Sequence, residues 1–186
     1  MRQAGQIVRY GRASIALHWI MLLLLAAVYA GIELREFFPK GSDTRELFKA
    51  THFMLGLTVF ALLWLRLAMR RLGPVPSAEP TPRWQQLASG TVHLTLYIFM
   101  IAMPLAGWAI LSAEGKPIPF YGLELPPLVG RSENLAETLE ELHEIGGTIG
   151  YYLIGVHAAA ALFHHYVLRD NVLGRMLPGP RRASVS

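Results

Sequence analysis

The sequence predicts an all-α integral membrane protein, a four-helix bundle with both termini on the cytoplasmic side. Three observations lead there. The 186 residues are 53% hydrophobic and only 16% charged, whereas a soluble domain is roughly 45–50% apolar and about 25% charged. Four stretches are long and apolar enough to cross ~30 Å of hydrocarbon at ~1.5 Å per residue. The basic residues, finally, divide unequally between the two sets of connections.

The first span is expected at 13–32, an uncharged run between Arg12 and Glu33. Its basic leader and the Val28-Tyr29-Ala30 triplet resemble a signal peptide, but twenty uncharged residues are long for such a core, and a retained membrane helix is expected. The second span, 48–69, includes Arg66, whose long side chain is expected to snorkel to the interface. The third, 90–112, lies within an uncharged run from Trp84 to Ala113, and the fourth, 145–168, lies between Glu144 and Arg169. Pro104 is expected to kink the third span, and with Gly107 it offers room for a ligand. No internal repeat is visible, so residues 1–186 read as one membrane domain.

The N-terminus, the second connection and the C-terminus hold eleven Lys and Arg, and the other side holds six. By the positive-inside rule the termini are cytoplasmic. The outer loop is then 113–144, the most acidic connection, with a short helix expected near Glu133 to Leu142. The inner connection from Gly73 to Pro82 carries four prolines and reads as a stiff turn.

No basic face is present for nucleic acid. The absence of cysteine excludes disulfides, thiolate metal sites, iron–sulfur clusters and covalent haem attachment. No methionine stripe points to copper.

Histidine decides the chemistry, because ionisable side chains in membrane spans are costly and mark function. His18 lies in the inner part of the first span and His52 at the outer start of the second. His143 lies at the outer mouth of the fourth, and His157 follows it by fourteen residues. Fourteen residues are close to four turns, which places the two on one face ~21 Å apart. Depth therefore pairs His52 with His143 and His18 with His157. A lone membrane histidine commonly just bonds a neighbouring helix. Two depth-matched pairs describe two bis-imidazole sites, and opposed imidazoles flanking a flat macrocycle suit haem b better than a compact zinc or copper cluster.

Small residues beside these histidines include Gly56, Gly146, Gly147, Gly150, Gly155 and the run from Ala158 to Ala161. They make room for a macrocycle or serve as a helix-packing motif, and both readings stand at this point. His93 has no expected partner at its own depth, so packing or snorkelling is expected. His164 and His165 fall at the inner interface, in reach of headgroups, propionates or a proton relay. Trp19, Tyr29, Trp108, Tyr151, Tyr152 and Tyr166 read as interfacial anchors or core.

Leu17-His18-Trp19, the turn Arg35-Glu36-Phe37-Phe38-Pro39, Thr51-His52 with Gly56, His143-Glu144 and the run from Gly155 through His157 to His164-His165-Tyr166 resemble the bacterial cytochrome b561 family. The likeness runs from about Tyr10 to Pro178, with spacings preserved. It implies an inner-membrane, dihaem b cytochrome whose ligands fall on His18, His52, His143 and His157. It further implies electron transfer between the outer aqueous phase and membrane ubiquinone, with superoxide as the donor. The alternative is a haem-bearing membrane anchor that relays electrons for a separate dehydrogenase or hydrogenase partner. A haem-free transporter or scaffold is the third reading.

Six-coordinate haem suits outer-sphere electron transfer. An anionic donor needs positive potential outside, which Arg35, Lys40, Arg45, Lys49, Lys116 and Arg131 can supply. Lys116 is the candidate for steering because Gly115 and Pro117 hold it in a tight turn near the level of His52 and His143. A solvated loop lysine, or propionate pairing for these cations, is the plainer reading.

Overall fold

The computed structural model describes residues 9–73 and 81–179. Four long helices dominate it: α1 (Arg12–Leu34), α2 (Asp43–Leu72), α3 (Arg83–Glu114) and α4 (Glu133–Phe163). All four are long and apolar enough to cross a membrane. Each extends beyond the uncharged run that announces it, because backbone hydrogen bonding continues into the interface where charged side chains are tolerated. The inner connection lies mostly outside the described residues, as do Arg2, Arg181 and Arg182.

Local signals set the helix ends. Ser42 accepts from the Arg45 amide at 3.3 Å, and Asp43 and Glu46 place negative charge in the first turn of α2. Ser132 caps α4 in the same way through the Leu135 amide at 3.4 Å. Gly115, at φ 71°, ends α3 in the left-handed conformation that glycine adopts without penalty. Residues 133–142 are not a separate short helix but the first turns of α4. Nothing between the Ser132 cap and Phe163 interrupts the hydrogen-bond ladder there. A π-helical turn, His164–Leu168, continues α4 and ends at Arg169.

The tightest packing runs along α1 with α2 and along α3 with α4. At mid-depth Met21, Val59, Leu63 and Met100 form a buried apolar layer joining α1, α2 and α3, with Leu24, Leu62 and Phe99 packed around it. Large apolar side chains such as Leu23, Leu94, Ile98, Ile149 and Val156 face outward, as lipid-facing surfaces require. The two ends of the described chain meet. Tyr10 donates its amide to the Arg175 carbonyl at 3.3 Å, and the Trp19 indole donates to the Met176 carbonyl at 2.8 Å.

On the other side, β1 (Pro119–Phe120) and β2 (Leu123–Glu124) form a two-residue antiparallel hairpin. Its turn places both Tyr121 (φ 47°) and Gly122 (φ 87°) at positive φ, as a right-twisted two-residue hairpin demands. The Tyr121 hydroxyl lies 3.0 Å from Thr58 Oγ1, which ties the hairpin to α2. Arg45 locks the turn before α2: it is buried and donates to the Arg35 and Phe38 carbonyls at 3.1 and 3.0 Å and to Glu36 at 2.9 Å.

Candidate functional site

Two levels of paired imidazole stand one above the other. At the outer level, the His52 and His143 ring centres are 6.2 Å apart with planes inclined at 73°. At the inner level, His18 and His157 are 6.3 Å apart, inclined at 80°. A ligating imidazole nitrogen lies about 1.1 Å from its ring centre and about 2.0 Å from its metal, so two trans imidazoles on one metal have centres about 6.2 Å apart. Both pairs have that separation.

A hydrogen bond orients one ring of the outer pair. His52 Nδ1 lies 2.9 Å from the Val28 carbonyl. A carbonyl only accepts, so Nδ1 carries the proton and Nε2 keeps its lone pair for a ligand. His143 Nδ1 is buried without a described partner, an arrangement that a protein rarely leaves to itself. Gly107 faces this ring: a Cβ there would lie 3.5 Å from His143 Cε1. The room at Gly107 is thus taken by the histidine itself.

The glycines divide between the two readings of the sequence. At Gly146 a Cβ would strike the Met103 sulfur, and at Gly150 the Tyr29 hydroxyl and the Phe99 ring, so these two serve close helix packing. Gly56, Gly147 and Gly155 lie within one turn of His52, His143 and His157, and a Cβ at any of them would meet nothing within 4 Å. Small residues beside the imidazoles and a spacing set for a metal between them fit a bis-imidazole haem. Among the described residues no three His, Asp or Glu side chains gather into a compact metal site.

Two expectations need correction at the inner level. His93 does have a partner at its depth, since its ring centre lies 5.3 Å from that of His157. Starting the third span at residue 90 hid this, because α3 begins at Arg83 and has already made almost three turns by His93. Its edge contact is shorter than the spacing of either pair and reads as packing against the His157 ring. Arg66 does not snorkel outward either: it is half-buried and its Nη1 donates to the Ser14 carbonyl at 3.3 Å.

His164 and His165 stand apart from both pairs. His164 Nδ1 meets Asp170 Oδ2 beyond the π-helical turn, and His165 packs on Tyr166. Of the aromatic residues read as anchors or core, Tyr29 and Tyr151 bridge α1 and α4, with ring centres 4.2 Å apart. Tyr29 donates to the Gly147 carbonyl at 2.8 Å and Tyr151 to Glu33 at 2.9 Å.

The outer cations are largely committed to carboxylates. Arg35 and Arg45 pair with Glu36, Lys49 with Glu46, and Lys116 with Glu114 at 2.9 Å. Lys116 and Arg131 nevertheless line one cavity of about 400 Å³, together with Ser112, Ile118 and Glu124. The Arg131 stem lies over Gly115, where a Cβ would come within 3.2 Å of it.

Four membrane helices carrying stacked, opposed imidazoles place the molecule among membrane-embedded haem proteins. The chain belongs to the prokaryotic cytochrome b561 family, whose profile it matches over residues 9–179. It is 42% identical to cytochrome b561 homolog 1 of Escherichia coli over 171 residues, covering 91% of this chain and 97% of that protein. It is 36% identical to a probable superoxide oxidase, CybB, of Yersinia pestis, covering 93% and 98%. Cytochrome b561 homolog 2 of Escherichia coli is 31% identical over 91% of each chain. The protein is therefore a multi-pass electron-transfer cytochrome of the bacterial inner membrane that binds haem b.

Proposed function

We propose that the protein is a superoxide:ubiquinone oxidoreductase with two bis-histidine haem b sites. His52 and His143 hold the outer one, and His18 and His157 the inner one. The observation that carries this reading is the matched spacing of the two pairs, 6.2 and 6.3 Å, and the name of the Yersinia pestis relative supports the donor. Haem b held by these imidazoles would supply one-electron chemistry.

The chain's own residues fix the rest. The Val28 carbonyl holds the His52 tautomer, so that Nε2 is ready as a ligand. Met21, Val59, Leu63 and Met100 keep an apolar layer between the two levels, which excludes water from the path between them. Lys116 and Arg131 line the outer cavity and favour a small anion there. Each superoxide gives up one electron and leaves as dioxygen. Two such electrons and two protons from water convert one ubiquinone to ubiquinol.

The test is to purify the protein, quantify haem per chain from the reduced b-type spectrum, and supply superoxide with ubiquinone in vesicles. Two haems and ubiquinol formation without another protein are expected. Reduction of haem only when a dehydrogenase or hydrogenase partner is added would establish the membrane-anchor reading instead.

A further inference from the structure

Arg66 repeats, one level further in, the contact that His52 makes at the outer level. His52 bonds the Val28 carbonyl of α1, and Arg66 bonds the Ser14 carbonyl of the same helix. Both members are displaced by fourteen residues, the interval that also separates His143 from His157. Four turns return each helix to nearly the same face, ~21 Å along. Arg66 therefore holds on α2 the level that His157 holds on α4, and it lies within electrostatic reach of His18, His93 and His157.

Its surroundings offer neutral oxygens. Besides Ser14, Arg66 meets the Tyr97 hydroxyl, and Arg70, one turn on, donates to that hydroxyl at 2.7 Å. Among the described residues no carboxylate lies within ion-pairing distance of either guanidinium. A guanidinium turned inward in a membrane bundle is costly without a counter-charge, and its planar fork matches a carboxylate or a phosphate. Arg66 is half-buried between α1, α2 and α3, whereas a phospholipid headgroup lies outside the bundle.

We propose that Arg66, assisted by Arg70, is an anion-binding site at the inner histidine pair that takes a propionate carboxylate of the tetrapyrrole held by His18 and His157. The inference rests on reading that pair as a haem site. Beyond anchoring the cofactor, the fixed positive charge favours the reduced state of the inner haem and so draws electrons inward.

The test loads haem-depleted protein with protohaem or with its dimethyl ester, in which both carboxylates are masked. The outer haem spectrum reports on the fold. In the unaltered protein the ester should fill the inner site about tenfold more weakly than protohaem, and in Arg66→Gln the two should bind alike. The inner midpoint potential should fall in Arg66→Gln and largely recover in Arg66→Lys. Equal binding of ester and protohaem by the unaltered protein would overturn the proposal, even if Arg66→Gln fails to fold. Phospholipid phosphorus that copurifies with the unaltered protein and is lost in Arg66→Gln would assign the site to a lipid phosphate and overturn it likewise. Uptake of one haem rather than two would overturn the haem-pair reading itself, a result distinct from two haems without ester discrimination.

Discussion

The His93 ring centre lies 5.3 Å from that of His157, closer than His18 lies to the same ring. Proximity and ligation separate here. A trans partner must stand off far enough for a metal to sit between the rings, whereas His93 touches the side of His157 and so acts on its orientation.

His93→Ala is accordingly expected to retain two haems per chain, with a perturbed low-spin signal from the inner one. Haem quantification with electron paramagnetic resonance checks this. Loss of one haem equivalent from protein that remains folded would make His93 a ligand and displace His18 from that role.

The pairing itself is open to a double-variant count. His52→Ala and His143→Ala, singly or together, should each leave one haem per chain, because both remove the outer site. His52→Ala combined with His157→Ala should leave none. A residual haem in that combination would show that the pairs are wrongly drawn.

Gly150 is the packing point at which α4 meets Tyr29 of α1 and Phe99 of α3. Gly150→Val should destabilise the bundle by roughly 1–3 kcal/mol, the usual penalty for forcing extra carbon into a packed site. Gly90→Ala should be near neutral, since Gly90 is exposed on α3 and its added Cβ meets nothing within 4 Å. Thermal unfolding of both variants in the same detergent, followed by helix content, makes the comparison.

Lys116 reaches the outer cavity while paired to Glu114. If its charge steers superoxide, Lys116→Gln should slow haem reduction and flatten its dependence on salt, and Glu114→Gln should speed it. Interactions between exposed charges are screened beyond ~8 Å at physiological ionic strength, so stopped-flow rates from low to high salt measure the effect. Unchanged rates in both variants would leave the lysine as a solvated loop residue.

Membrane topology was legible from the chain because hydrocarbon imposes a one-dimensional rule: an apolar run of sufficient length must cross, and basic connections stay inside. Depth is likewise linear along a helix. The levels of His18, His52, His143 and His157 therefore followed from counting residues, and so did the expectation of which rings face one another. Azimuth and side-chain direction are not linear in that way. They depend on how the helices pack together, which brought His93 against His157 and made Gly146 and Gly150 packing points while leaving Gly56, Gly147 and Gly155 open. Arg66 shows the same division most sharply. Its depth could be read from the sequence, but only the packing of α2 on α1 decided that its guanidinium turns inward to Ser14, because a flexible side chain goes where neighbouring helices offer it oxygen.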